Sequence, residues 1–175
     1  MAETPPPLEP PAPLNESHEL ADFRCGETVL DEWLLRRALA NMEAGASKTY
    51  VLCATGSQQV VGFYALSMGQ ILDREALGSM RRNMPRHIPS VILGRLAIDA
   101  RWQGRGIGRA LLHDAVSRSL RAAREVAARL LVVHAISPTA EAFYRHHGFM
   151  RLPMETPTLA LDLVKLERVL GKEGG

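Results

Sequence analysis

The stretch of this 175-residue chain most able to do chemistry is Gln103-Gly104-Arg105-Gly106-Ile107-Gly108. Three glycines at alternate positions remove every Cβ from one side of a tight turn, so successive backbone N–H groups can be aimed at one point. A helical apolar pattern begins at Ile107, which places those amides at the positive end of a helix dipole. Unpaired amides plus that dipole form an anion site, and a pyrophosphate is the natural guest. The bland alternative is a turn that merely connects two elements; Arg101, Arg105 and Arg109 in and around the loop weigh against it. Two familiar phosphate loops fail on spacing. A P-loop needs Gly-Lys-Ser/Thr, which is absent. The dinucleotide fingerprint needs a three-residue step to its last glycine and a second βαβ half, whereas Gly108 comes two residues after Gly106.

The elements around this loop follow from periodicity. A short first strand is expected at Asn15–Leu20. Thr28 to Glu43 reads as a helix with Leu30, Trp33, Leu34 and Ala38 on one face and Gly45 as its stop. Thr49–Ala54 and Val60–Met68 form a hairpin about Gly56-Ser57. A short helix at Asp73–Met80 is expected to end before Pro85 and Pro89. Val91–Ile98 is a strand whose Gly94 suggests a bulge or a splay. Ile107 to Ala123 is an amphipathic helix with Leu111, Leu112, Ala115, Val116 and Leu120 on the buried face. Leu130–Ala135 is a buried strand. Pro138–His147 is a helix with Ser137 as N-cap and Gly148 as its stop, and a last strand at Leu159–Leu163 leads into a short helix to Leu170. Strands flanking helices with an early hairpin predict an α+β fold with a mixed sheet.

Composition limits the function classes. Hydrophobic residues are 46% and charged residues 23% of the chain, enough for one core of ordinary size. No apolar run approaches the ~18 residues needed to cross a bilayer, and Glu3 and Glu9 among prolines do not form a signal peptide, so a cytoplasmic protein with no membrane partner is expected. Cys25 and Cys53 are too few for a disulfide framework and lack metal-ligand spacing, so no metal is expected. Residues 1–14 hold six of the eleven prolines and are expected to be a disordered, polyproline-like tail; residues 15–170 are expected to be one domain and residues 171–175 a frayed end.

The strand LGRLAID, the loop QGRGIG and the helix RALL resemble the acetyl-coenzyme A motif of the GCN5-related N-acetyltransferase (GNAT) superfamily, Gln/Arg-x-x-Gly-x-Gly/Ala, on Gln103, Gly106 and Gly108. AEAFYRHHGF, residues 140–149, is similar to that superfamily's later helix, whose tyrosine is the usual general acid. FRCGETVLDEWL, GASKTYV, VVGFYALSMG, RRNMP, IPSVILGRLAID and LLVVHA narrow the resemblance to the TacT-like acetyltransferase toxins of toxin–antitoxin modules, over nearly all of the chain except the proline tail. The resemblance implies the GNAT fold: a mixed sheet that splays after its fourth strand and is flanked by helices, with acetyl-CoA as co-substrate in the split. Backbone groups of Leu96, Ala97 and Ile98 would pair with the pantetheine arm. Amides of Gln103, Gly104, Arg105, Gly106, Ile107, Gly108 and Arg109 would hold the pyrophosphate, and Tyr144 would be the general acid. Aminoacyl-tRNA as acceptor and a ribbon-helix-helix antitoxin as partner are implied in the same way; a homodimer is admitted as well.

The chemistry is consistent without the family. A tyrosine of ordinary pKa ~10 is protonated at neutral pH and can donate to a departing thiolate of pKa ~8.5. The alternative is that Phe143 and Tyr144 are both core aromatics. Cys53 in a buried-looking strand and Cys25 in the first loop poorly support a covalent route. His134, His146 and His147 are bases by type only, and His134 reads as a satisfied core histidine. A missing base is tolerable for an α-amino group, whose pKa is about 7.7–8 and lower still beside an ester, and less so for a lysine near 10.4.

Charge favours a nucleic-acid acceptor. Between Arg74 and Arg109 lie eight arginines and two acids, a local +6 in a chain of net +2. Arg81, Arg82 and Arg86, with Arg36 and Arg37 on the first helix, are the expected tRNA-binding set. The alternative for this cluster is a solvated loop with ordinary arginines. Two other functions stay open: an acetyltransferase for a small amine or a protein N-terminus, and a catalytically idle acyl-CoA-binding protein that acts through partners.

Overall fold

The computed structural model describes residues 4–174. Seven strands form one mixed sheet: β1 (Ala12–Pro13), β2 (Lys48–Cys53), β3 (Val60–Leu72), β4 (His87–Ile98), β5 (Leu130–His134), β6 (Met150–Arg151) and β7 (Thr158–Asp162), in the order β1-β2-β3-β4-β5-β7-β6. The helices are α1 (Thr28–Arg36), α2 (Ala38–Glu43), α3 (Gly78–Arg81), α4 (Ile107–Glu125), α5 (Pro138–His146) and α6 (Leu163–Glu173). β2 pairs antiparallel with β1 and β3, β4 pairs parallel with β5, and β7 pairs antiparallel with β5 and β6. The mixed α+β sheet is the one expected. The β4–β5 ladder covers only Ser90–Leu93 against Leu130–Val133, and β4 continues through Gly94 to Ile98 beyond the last pair. Gly94, where a bulge or splay is expected from the sequence, is the first residue past the ladder.

The chain falls into two compact units. The first takes in the chain through Leu66 together with Arg95–Ala115; the second takes in Ser67–Gly94 and the chain from Val116 onward. The core of the first is built from Phe23, Leu30, Trp33, Leu34, Val51 and Phe63, with Phe23 edge-on to Phe63 and Trp33 stacked on it. Gly62 lets α4 approach the sheet: a Cβ there would lie 2.9 Å from Leu111 Cδ1 and 3.0 Å from Ile98 Cδ1. The core of the second gathers Ile71, Met80, Ile88, Leu130, Val132, Leu152 and Ala160. Within it Arg129 and Asp162, 15% and 10% exposed, pair at 2.9 Å, and Arg129 also donates to the Ser79 carbonyl.

Several expectations are corrected. The proline stretch is not a free tail over residues 7–14; it lies along β2 as an edge. Glu9 N–H donates to the Cys53 carbonyl, Thr55 N–H to the Pro7 carbonyl and Leu14 N–H to the Thr49 carbonyl. An edge strand needs donors on one side only, so prolines fit where they could not inside a sheet. Leu14, 4% exposed, anchors the stretch in the first core. Residues 1–3 of the expected tail and Gly175 of the expected frayed end lie outside the described residues. Asn15–Leu20 is not a strand: the Asn15 side chain accepts from Ser17, and His18 Nδ1 accepts the Asn15 N–H, which closes a polar turn. The helix expected over 28–43 breaks at Arg37 (φ −121°), and the break lets Leu39 and Met42 pack on the same cluster as α1. Asp73–Met80 is a single 3-10 turn followed by the one-turn α3. β4 begins at His87 and holds Pro89, whose carbonyl accepts Arg129 N–H. α6 runs to Glu173, past the expected end at Leu170.

Candidate active site

In the first unit, β4 delivers Leu96, Ala97 and Ile98 to the glycine loop. Ala97 is buried in the first core, while Leu96 and Ile98 are half-buried. A short 3-10 turn, Ala100–Trp102, follows, and α4 starts at Ile107. Gly104 and Gly106 both have φ of +77°, a conformation L side chains rarely adopt, and a Cβ on either would meet no atom within 4 Å. Backbone conformation, with open space on the side a ligand would occupy, is what selects glycine at these two positions. Gly108 lies inside the first turn of α4. The first amides of α4 have no acceptor within the helix and are directed at its N-terminal end. The residues present therefore fit a diphosphate held by main-chain amides, with the end of β4 leading into it.

The three arginines of this region are not equivalent. Arg101 is committed to Asp99: its Nε donates to Oδ1 at 2.9 Å and its guanidinium to Oδ2 at 3.0 Å. Burial works against the charge on Asp99, but the Arg101 side chain and the amides of Arg101 and Arg24 outweigh it and hold the carboxyl below its ordinary value. Arg105 donates to the Arg101 carbonyl and lies over the Trp102 ring. Arg109 is exposed on the first turn of α4. Arg95 packs over Trp33 at 4.1 Å from the ring centroid. The pairing of Arg101 with Asp99 thus leaves the uncompensated positive charge of the region smaller than a count of arginines implies, while Arg95 keeps its charge but is held against Trp33.

In the second unit, α5 opens as its sequence indicates: Ser137 Oγ accepts from Ala140 N–H, and Pro138 occupies the first turn. Gly148, at φ +91°, ends it. Of the two neighbouring aromatics, Tyr144 is the buried one at 6% exposure and Phe143 is half-buried. Phe143 and Phe149 stand edge-on to the Tyr144 ring, with centroids 5.2 and 5.5 Å away. Burial pushes the Tyr144 hydroxyl above its ordinary value, which keeps it protonated at neutral pH. His134 is exposed rather than a core histidine, with Nδ1 2.9 Å from Thr158 Oγ1. His146 and His147 lie edge to face at the end of α5. The Cys25 thiol is pushed up to about 11, first by burial and then by the neighbouring Asp31, and burial raises Cys53 too; neither is an activated nucleophile.

Arg81 closes α3, Arg82 follows it, and Arg86 lies past Asn83, which adopts φ 61°. All three are exposed on one short stretch of the second unit, and the Arg86 carbonyl accepts Asp73 N–H. Arg129, which the sequence reading did not single out, braces α3 through the Ser79 carbonyl. Arg36 and Arg37 are exposed at the end of α1, in the first unit.

Comparison with known proteins is specific. Residues 45–151 match the acetyltransferase (GNAT) domain family. The chain is 42% identical over 161 residues to a tRNA-acetylating toxin of Mycobacterium tuberculosis (strain ATCC 25618 / H37Rv), covering 92% of this chain and 96% of that one. Among solved structures it is similar to AtaT complexed with acetyl-methionyl-tRNAfMet (31% identity, TM-score 0.85, 93% and 99% of the two chains). It is also similar to a tyrosine-to-phenylalanine mutant of the AtaT toxin bound to the C-terminus of the antitoxin AtaR and acetyl-CoA (28% identity, TM-score 0.78, 93% and 98% of the two chains). This chain belongs to the GNAT acetyltransferase family and, within it, to the TacT-like toxin group.

Proposed function

We propose that the chain is a toxin that transfers an acetyl group from acetyl-CoA to the α-amino group of aminoacyl-tRNA and so stops translation. One acetyltransferase domain that includes the proline-bearing β1 edge and extends through α6 is the unit that acts. The observation that carries the reading is the glycine loop at the start of α4, with Gly104 and Gly106 in the left-handed region, next to the part of β4 that runs past its parallel ladder. The relative that acetylates tRNA and the neighbour that holds acetyl-methionyl-tRNA support the acceptor.

In this reading the backbone of Leu96, Ala97 and Ile98 orients the pantetheine arm, and the amides from Gln103 through Arg109 hold the pyrophosphate. The bound thioester supplies an acetyl group at a carbonyl open to attack. A neutral α-amine forms the N–C bond, the C–S bond breaks, and Tyr144 Oη gives its proton to the departing sulfur; the proton the amine releases restores the phenol. No base is required, because an α-amine next to an ester is neutral in large part near pH 7. Arg36, Arg37, Arg81, Arg82 and Arg86 bind the tRNA backbone. A ribbon-helix-helix antitoxin and a second copy of the chain are its protein partners; the neighbour bound to an antitoxin segment supports the first.

The test is an acceptor panel. Purified protein is given labelled acetyl-CoA with charged tRNA, free amino acids, polyamines or peptides in separate reactions. Label on the aminoacyl end of charged tRNA supports the reading. Label on a small amine or a peptide N-terminus, with charged tRNA unlabelled, replaces it with the small-acceptor alternative. No transfer to any acceptor, with acetyl-CoA still bound, favours a binding protein without catalysis.

A further inference from the structure

Asp99 is 1% exposed, and yet it is charged and accepts four hydrogen bonds. Oδ1 takes the Arg101 amide at 3.0 Å and Arg101 Nε at 2.9 Å, while Oδ2 takes the Arg24 amide at 3.1 Å and the Arg101 guanidinium at 3.0 Å. The connection to the Arg24 segment is reciprocal, because Ala100 N–H donates to the Arg24 carbonyl at 2.7 Å. Four residues further on, the single amide nitrogen of Gln103 donates to two carbonyls, Cys25 at 2.8 Å and Ile98 at 2.9 Å. The Gln103 side chain is therefore spent on the protein's own backbone. Arg105 is tied back in turn to the Arg101 carbonyl.

These bonds converge on residues 99–103, which lead from the end of β4 through a single 3-10 turn into the glycine turn. An anion loop made of main-chain amides works only if the amides are already aimed, since ordering them on binding would consume the affinity they supply. We infer that Asp99, Arg101 and Gln103 form a clamp with the backbone of Arg24 and Cys25 that pre-sets the glycine loop for the diphosphate end of the co-substrate. They are positioning residues: none needs to touch the ligand through its side chain. The clamp also gives the first loop of the chain a role in cofactor recognition that its own sequence does not announce, through Phe23, which is 1% exposed and sits edge-on to Phe63 as the anchor behind it.

The inference rests on the acetyl-CoA reading, and two ligands separate the two. Acetyl-CoA carries the diphosphate; S-acetyl-pantetheine lacks it. Dissociation constants for both are measured by calorimetry on the full chain, well below each variant's melting temperature. The wild type is expected to prefer acetyl-CoA strongly. Asp99→Asn and Gln103→Met are each expected to weaken acetyl-CoA by about tenfold to a hundredfold, the scale of a binding group displaced by a fraction of its optimum. Affinity for S-acetyl-pantetheine should stay unchanged. Gln103→Met retains the Asp99–Arg101 pair and serves if Asp99→Asn does not fold. A variant that weakens both ligands equally, or that only lowers the melting temperature, overturns the clamp and leaves a structural role. A wild type that binds the two ligands alike, or neither, overturns the acetyl-CoA reading itself.

Discussion

The glycine loop of the first unit and the Tyr144 helix of the second solve opposite problems. The loop is exposed and rich in glycine; in the proposed role its N–H groups do the work, so side chains matter there mainly by their absence at Gly104 and Gly106. The surroundings of Tyr144 are apolar and made of side chains: Phe143 and Phe149 stand edge-on to the ring, and burial, not a charged neighbour, shifts its hydroxyl. A site that binds a polyanion benefits from staying wet until the ligand arrives. A group that must keep its proton until charge develops on the leaving sulfur benefits from being dry. Under the proposed roles, binding and proton transfer are built by different physics and should fail separately when each is damaged.

Damage to the loop has the largest expected effect. Gly106→Glu puts a carboxylate at the expected pyrophosphate position on a residue at φ +77°, so acetyl-CoA binding by calorimetry should fall below detection while the far-ultraviolet circular dichroism remains. Retained affinity would remove the loop from the site. Tyr144→Phe should do the reverse. Acetyl-CoA affinity should be unchanged, and kcat should fall by roughly 10²–10⁴, the range for a lost general acid. Cells should tolerate the variant where the wild type stops growth. A near-normal kcat would assign the proton to water.

How legible these regions are in the sequence depends on what carries the information. Gly104 and Gly106 announce a backbone conformation, and Ser137, Pro138 and Gly148 announce the limits of α5, because caps and left-handed positions are local. Tyr144 announces nothing by itself; a buried tyrosine between phenylalanines reads as core, and only the resemblance to GNAT enzymes gives it a role. What escaped was non-local. The six-proline stretch reads as a free tail until β2 is present to accept Glu9 and Leu14. The two-residue β6 is too short to show a period. Arg101 counts toward the positive charge of the loop until Asp99, two residues away, is seen buried beneath it.

A smaller effect concerns the acceptor. Arginine-to-alanine changes at 81, 82 and 86 together should raise KM for charged tRNA and leave acetyl-CoA affinity alone. They should also lower the slope of log affinity against log salt by about one per lost phosphate contact. If acetyl-CoA binding falls instead, those arginines serve the co-substrate, and the charge argument for tRNA is lost.

The smallest effect is on stability against pH. Because burial raises the Tyr144 pKa in the folded state, its contribution is complete below the unfolded value near 10 and is lost as pH rises beyond it. The wild type should therefore lose more melting temperature between pH 8 and pH 11 than Tyr144→Phe does. Equal losses would mean that the hydroxyl ionises as easily folded as unfolded, and the dry site would not be dry.

The most direct measurement is acetyl transfer to matched pools of charged and uncharged tRNA, with the product located on the terminal aminoacyl group by chromatography after mild deacylation. Wild-type protein should convert the charged pool to N-acetyl-aminoacyl-tRNA and leave uncharged tRNA unlabelled, and Tyr144→Phe should slow that conversion without changing its product. Label on uncharged tRNA, on an internal nucleotide, or on neither pool while a small amine is acetylated would contradict an α-amino acceptor held on tRNA.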